Sequence, residues 1–346
     1  MADVAVMSPT QRVPHFLGTG KIGWHERSAP EPGPNELQVR VRANALCGTD
    51  REQLANGSAI TPGHEAAGEV IAAGRGTSTE VGTRGVVFLM DFCGACRSCA
   101  AGATNQCLSK RADMGFTSDG GYGRMELVHE TNFFATPASL DHAVATLLLD
   151  VMGTTSHAIR RAGAVRADIE SIVIAGAGPI GLGTVAMARL LIGSDLTIII
   201  ADTVPYRLAL AERLGARPVD LRHETLTGAL ASAGFAHGAD VAIDTSGRES
   251  ARRDLLHALG RRGVLVCVGH GEGLSVSVSD DLIAPERTVM GSEYFCFDAL
   301  PDNLALLEAN RPYLEQIITH RFGIDELEAA YALFLGGETG KVVVEQ

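Results

Sequence analysis

A chain of 346 residues is too long for one ordinary hydrophobic core and fits two domains, each able to bury its own interior. Its 46% hydrophobic content, 20% charged residues and 40 glycines suit a soluble α/β protein, and the absence of any run of about 18 apolar residues excludes a membrane-spanning helix. A formal net charge of −12 with no concentrated basic run excludes nucleic acid as a partner.

The opening stretch MADVAVMSPTQRV lacks the basic start and apolar centre of a secretory signal, so a cytoplasmic location with reduced cysteines is expected. The N-terminal third reads as short alternating strands, ELQVRVRANAL from Glu36 and EAAGEVIAAG from Glu65, punctuated by APEPGPNE and many glycines. Within it, DFCGACRSCAAGATNQC places Cys93, Cys96, Cys99 and Cys107 with two, two and seven residues between them. Four thiolates at that spacing suit a closed, tetrahedral structural zinc, which braces a loop and leaves no position for chemistry. The alternatives are free or disulfide-bonded cysteines, disfavoured in a reducing compartment, and an iron–sulfur cluster.

From about Leu148 the texture changes to compact apolar runs separated by helix-length segments: SIVIAGAG from Ser171, LTIIIAD from Leu196, ADVAIDTSG from Ala239 and GVLVCVGH from Gly263. Between them PYRLALAERLGA sets Leu208, Ala211 and Leu214 at helical spacing, and this rhythm predicts a parallel sheet with helices on both faces. The first run ends in Gly176, Gly178, Pro179, Ile180 and Gly181 and passes at once into a helical pattern. Glycines there permit a tight turn, close approach of a pyrophosphate to the backbone and close helix packing, with the helix N-terminus favouring the phosphate charge. Asp202 follows Gly176 by 26 residues, where a carboxylate can accept hydrogen bonds from ribose hydroxyls and repel a 2′-phosphate; this favours NAD over NADP, and a capping role for Asp202 is compatible. Arg207 either stacks on adenine or lies on the helix surface. Cys267 reads as core and Cys296 lacks a ligand pattern. A final strand, GKVVVEQ, is expected to rejoin the first domain.

Three further stretches carry metal-ligand residues, each weak alone: CGTD at Cys47, PGHE with His64 and Glu65, and LLLDVMGTTSHA with Asp150. Taken in order with the four-cysteine loop, GHEAAGEV, GGYGRMELV and GAGPIG, they resemble the zinc-containing medium-chain dehydrogenase/reductases, the alcohol and polyol dehydrogenase family, across nearly the whole chain. The resemblance implies a GroES-like, β-rich catalytic domain over 1–152 and 297–346 and a Rossmann doubly wound parallel-sheet domain over 153–296. It implies two zinc ions per chain. Cys47, His64 and Asp150 match ligands of the catalytic zinc; Glu65 either binds the metal directly or exchanges with water. Asp50 matches the residue that orients the histidine, Thr49 the hydroxyl that carries the proton, and Thr154 a neighbour of the nicotinamide. An aspartate at 150 points away from primary-alcohol enzymes and leaves the zinc a somewhat harder Lewis acid than a thiolate would.

The chain departs from that pattern at Glu52, where relatives often carry a relaying histidine. Either Glu52 accepts the proton or it is a surface residue and the proton leaves through water. Only 17 positions separate Cys47 from His64, a shortened loop that suggests room for a larger or ring-shaped polar substrate. The expected activity is hydride transfer between NAD and a secondary alcohol of a polyol, sugar or (amino)cyclitol, in a homodimer or homotetramer. The alternatives are an NADPH-linked carbonyl or enone reductase and a non-catalytic dinucleotide sensor.

Overall fold

The computed structural model describes residues 10–346; residues 1–9, the greater part of the opening stretch read above for a signal, lie outside the described residues. The chain divides into two compact units. One comprises residues up to Leu149 with Arg321–Ala332 and Val342–Gln346, the other Asp150–His320 with Leu333–Lys341. The change of texture expected near Leu148 therefore falls one or two residues from the division. The return to the first unit does not fall at 297: residues 297–320 and 333–341 stay with the second. The helix Leu300–Ala309 is held there by a contact of Asn303 Nδ2 with Ser156 Oγ (3.5 Å) and by the Arg160–Asp302 ion pair, neither of which its helical pattern foretells.

In the first unit, strands Lys341–Glu345, Glu36–Ala45, Ala66–Ala73, Arg84–Val87 and Phe133–Ala135 lie side by side, and Met125–His129 pairs with the N-terminal half of Glu36–Ala45. Alternation decides what faces inward. Leu37, Val39 and Val41 point into an interior shared with Val70, Val87, Met114, Val128 and Phe133, while Gln38, Arg40 and Arg42 point outward. Burying each such aliphatic side chain stabilises the fold by roughly 1.5–3 kcal/mol. One residue breaks the rule. Glu126, register partner of Val39 and on the same strand face as Val128, is 1% exposed, and neither carboxyl oxygen has a hydrogen-bond partner among the described residues.

The second unit is a parallel sheet in the order Arg217–Asp220, Thr197–Asp202, Ser171–Ala175, Ala239–Asp244, Leu259–Cys267, Thr288–Gly291. Its strands read as unbroken apolar runs because helices cover both faces. Val173, Ile199, Val219, Ala242 and Leu265 pack against Leu226, Ala229 and Leu230 of one helix and Leu255 and Leu256 of another. Leu208, Ala211 and Leu214 are buried as their spacing implies. Cys267, at the end of its strand, is only half-buried rather than core. Strand order reverses between Ser171–Ala175 and Ala239–Asp244, and in open parallel sheets ligands bind at the carboxyl ends of the strands flanking such a reversal.

Candidate metal centre and dinucleotide turn

At the reversal, Gly176 takes φ +94°, a conformation open to glycine, and a side chain there would meet Thr245 Oγ1 at 2.8 Å. Gly181 lies so close to the turn that a Cβ would stand 1.9 Å from the Gly176 carbonyl oxygen, so the helix Pro179–Leu191 seats on the turn only with glycine at that position. Gly178 precedes this helix as its N-cap, with extended backbone, open space beside it and no side chain to cap the first turn. The N–H groups of its first turn are therefore available to an anion.

Asp202 ends the neighbouring strand. Its Oδ2 accepts from the Ala177 N–H (2.7 Å) and its Oδ1 from the N–H groups of Thr203 (2.7 Å) and Val204 (2.9 Å). The carboxylate thus ties the strand end to the glycine turn and to the two residues that lead into the helix Pro205–Arg213; it does not cap that helix, because its acceptors are taken by N–H groups ahead of the first helical turn. Arg207 is half-buried on that helix, with its guanidinium 3.7 Å from where a Cβ on Gly337 would lie. A buried pair that sequence reading missed shapes the neighbouring loops. Asp244 accepts from Arg252 Nε (2.7 Å), Ser246 Oγ (2.7 Å) and Ser246 N (2.9 Å), while the other guanidinium nitrogens of Arg252 donate to the carbonyls of Gly269 and Glu272.

Asp150 opens a wide helical turn, Asp150–Thr154, and Thr154 Oγ1 donates to Asp150 Oδ1 at 3.4 Å. The turn is pressed onto the glycine-turn helix: a Cβ on Gly183 would stand 2.5 Å from the Val151 carbonyl oxygen. Cys47 lies between the strand Glu36–Ala45 and the helix Asp50–Asn56. Its N–H donates to Asp50 Oδ2 at 3.1 Å, which fixes thiol and carboxylate on one turn. Gly63, at φ +100°, lets the chain approach Tyr122 so closely that a Cβ would meet the Tyr122 nitrogen at 2.8 Å, and His64 follows it. His64 Nδ1 lies 3.2 Å from Asp50 Oδ1, and its ring leans on Phe116 at 4.9 Å between centroids. Burial pushes the Asp50 carboxyl up, but His64, the Cys47 N–H and Tyr122 outweigh it and hold the group below its ordinary value.

Cys47, His64, Glu65 and Asp150 each offer one donor atom, all within 4.8 Å of one another and all on buried side chains. A thiolate and two carboxylates so close, removed from water, repel one another strongly unless a cation joins them, and with an imidazole they form a mixed sulfur, nitrogen and oxygen set suited to zinc. Thr49, beside Cys47, carries a buried hydroxyl oxygen with no hydrogen-bond partner among the described residues. Glu52 is exposed on the helix Asp50–Asn56.

Cys93, Cys96, Cys99 and Cys107 also converge within 4.8 Å. The Cys96 sulfur lies 3.5 Å from that of Cys99 and 3.9 Å from that of Cys107, far beyond a disulfide bond of about 2.05 Å. N–H groups of Cys93, Ala95, Cys96 and Leu108 point at the sulfurs. Backbone donors of Cys99 and Leu108 draw the Cys96 thiol down to about 6, whereas desolvation and the neighbouring sulfurs of Cys96 and Cys107 push Cys99 up to about 12. Adjacent thiols cannot all ionise alone; a bound cation removes the conflict.

Residues 33–138 match the family model described as alcohol dehydrogenase GroES-like domain, and residues 179–309 the one described as zinc-binding dehydrogenase. The L-threonine 3-dehydrogenase of Paraburkholderia phymatum is 30% identical over 331 residues, 91% of this chain and 93% of that protein. A protein of Sinorhizobium meliloti 1021 assigned as a zinc-binding dehydrogenase, solved with NADP bound, superposes with a TM-score of 0.85 at 27% identity over 98% of this chain and all of the other. The 2R,3R-butanediol dehydrogenase of Bacillus subtilis shares the fold, with a TM-score of 0.85 at 22% identity over 97% of this chain and 99% of that one. The GroES-like and Rossmann-type folds joined in one polypeptide define a class of oxidoreductase. The chain belongs to the zinc-containing medium-chain dehydrogenases. Among the described residues no helix is long and apolar enough to cross a membrane.

Proposed function

We propose that the protein is an NAD-dependent, zinc-dependent dehydrogenase that oxidises a secondary alcohol of a polyol, sugar or (amino)cyclitol, or reduces the corresponding ketone. The observation that carries this reading is the convergence of Cys47, His64, Glu65 and Asp150 beside the unpartnered Thr49 hydroxyl. The L-threonine 3-dehydrogenase relative, whose substrate bears a secondary hydroxyl, supports the substrate class. Zinc, when bound, supplies Lewis acidity and NAD accepts hydride. The remaining work is done by the chain. Cys47, His64 and Asp150 hold the ion, with Glu65 close enough to replace or join them. Asp50 fixes the imidazole through Nδ1 and leaves Nε2 for the metal. Thr49 Oγ1 takes the substrate proton and passes it on through water, because Glu52 faces outward. Gly176, Gly178, Pro179, Ile180 and Gly181 receive the pyrophosphate, Thr154 borders the nicotinamide, and Arg207 stands on the helix after Asp202. Screening secondary alcohols, polyols and aminocyclitols for NAD reduction tests the assignment; an enzyme that bound NAD yet oxidised none of them, and held one zinc instead of two, would be the sensor of the alternative reading.

A second zinc is assigned to the four-cysteine loop. Cys99→Ser is expected to release one zinc per chain and to destabilise the first unit by about 3 kcal/mol, a fall in Tm of roughly 6–12 °C, while dinucleotide affinity stays within twofold. Elemental analysis with a thermal melt checks both parts. Cofactor preference rests on Asp202, whose negative charge stands where a 2′-phosphate would approach. The NADP in the S. meliloti structure makes this worth a direct test. Asp202→Gly is expected to raise the KM for NAD about tenfold and bring NADP within reach of it, in steady-state assays with both cofactors. We further assign the working form as a homodimer or homotetramer in the cytoplasm, the former measurable by light scattering.

A further inference from the structure

Asp50 is more elaborately held than orienting one imidazole requires. Its Oδ2 lies 2.9 Å from the Tyr122 hydroxyl, 2.9 Å from the Tyr331 hydroxyl and 3.1 Å from the Cys47 nitrogen, and the two tyrosine oxygens are 2.8 Å apart. Tyr122 belongs to the glycine-rich turn that packs on Gly63; Tyr331 comes from the helix Leu327–Gly336, 281 residues from Asp50 in sequence. Both rings are buried and both pack on Phe16, with centroids 6.0 Å from Tyr122 and 5.5 Å from Tyr331. Three oxygen–oxygen contacts join this triangle, yet two phenols bring only two protons. With the Tyr122 proton on Asp50, the Tyr331 proton is shared between Asp50 and the Tyr122 oxygen.

We propose that Tyr122 and Tyr331 act as a redundant pair of positioning residues, which hold the Asp50 carboxylate at His64 and so raise the affinity of the Cys47–His64–Glu65–Asp150 centre for its metal. The inference rests on the metal-centre reading above. Packing alone does not account for the geometry, because two phenylalanines would fill the same space around Phe16 without converging on one carboxylate oxygen. The pair also delivers donors to a buried charge that loses its bonds to water, and outer partners of this kind are worth about 10–100-fold in metal affinity.

Redundancy gives the test its shape. Tyr122→Phe and Tyr331→Phe each leave one phenol to serve Asp50, so zinc affinity at the mixed-ligand centre, measured by competition with a chromophoric chelator, is expected to fall about threefold or less. The double variant is expected to lose about 10–100-fold there, with the four-cysteine zinc retained and KM for NAD unchanged. Cobalt substitution adds a readout, since the absorption bands of cobalt at the mixed-ligand centre should shift in the double variant alone. A double variant that melts lower but binds the second zinc with wild-type affinity and keeps the cobalt spectrum overturns the proposal and leaves the metal centre standing. A zinc count that neither Cys47→Ala nor His64→Ala lowers overturns both.

Discussion

Asp150→Ala is expected to abolish turnover, by at least about 10³-fold in kcat, while dinucleotide affinity measured by fluorescence titration changes less than twofold. The separation follows from where Asp150 sits. It is the first residue of a turn that the close approach of Val151 to Gly183 and the bond from Thr155 Oγ1 to the Val151 carbonyl (2.6 Å) hold in place without its carboxylate. Removing that carboxylate from a cluster that includes a thiol and a second carboxyl relieves repulsion, so the metal-free protein should be no less stable. Asp150→Asn, which keeps the shape and one weak donor oxygen, should fall between wild type and alanine in zinc affinity. Full activity in the alanine variant would remove Asp150 from the ligand set.

The second large effect concerns Glu126, to which no part in the chemistry is assigned. Its burial, with a smaller contribution from Asp119, pushes the carboxyl well above its ordinary value. The folded protein therefore keeps a proton that the unfolded chain gives up above the ordinary carboxylate range. Fewer protons on the unfolded state mean that stability is fully present below that range and falls as pH rises, by about 1.4 kcal/mol per pH unit, until the folded carboxyl itself ionises. Glu126→Gln should remove this slope by leaving nothing to titrate. Glu126→Leu should remove it and also add about 1–4 kcal/mol near pH 8, because an apolar side chain suits the surroundings of Val39 and Val128. Urea midpoints of the three proteins between pH 5 and 9 decide the matter: parallel curves would mean that Glu126 is ionised and paired in the folded state.

Much of this protein is legible in its sequence because its chemistry is carried by local words. The run from Ser171 into Gly176 and Gly181 implies a strand, a turn and a seated helix, since backbone clearances of about 2 Å admit no other residue at Gly181. The four cysteines lie within one loop, so their convergence needs no knowledge of the tertiary fold. The centre of Cys47, His64, Glu65 and Asp150 is different, because each residue is unremarkable where it stands and the order of the surrounding motifs had to join them. Residues that act across long stretches of chain left no mark. Tyr331 looks like any aromatic on an apolar helix face until it meets Asp50, and Glu126 alternates with apolar neighbours in a strand where either face could have been the wet one. The boundary near 297 was misplaced for the same reason: the helix Leu300–Ala309 reads alike whichever unit receives it.

The strand Lys341–Glu345 carries a consequence for biosynthesis. Val343 pairs with Ala45, Val344 with Asn44, and the side chain of Gln346 donates to the carbonyls of Gly121 and Gly123, so a sheet begun by Glu36–Ala45 is completed by residues made much later, after the whole of the second unit's main stretch. While the ribosome is still extending the intervening unit, the nascent sheet has an open edge along Ala43–Ala45 that must wait, sheltered or shielded, for its closing strand.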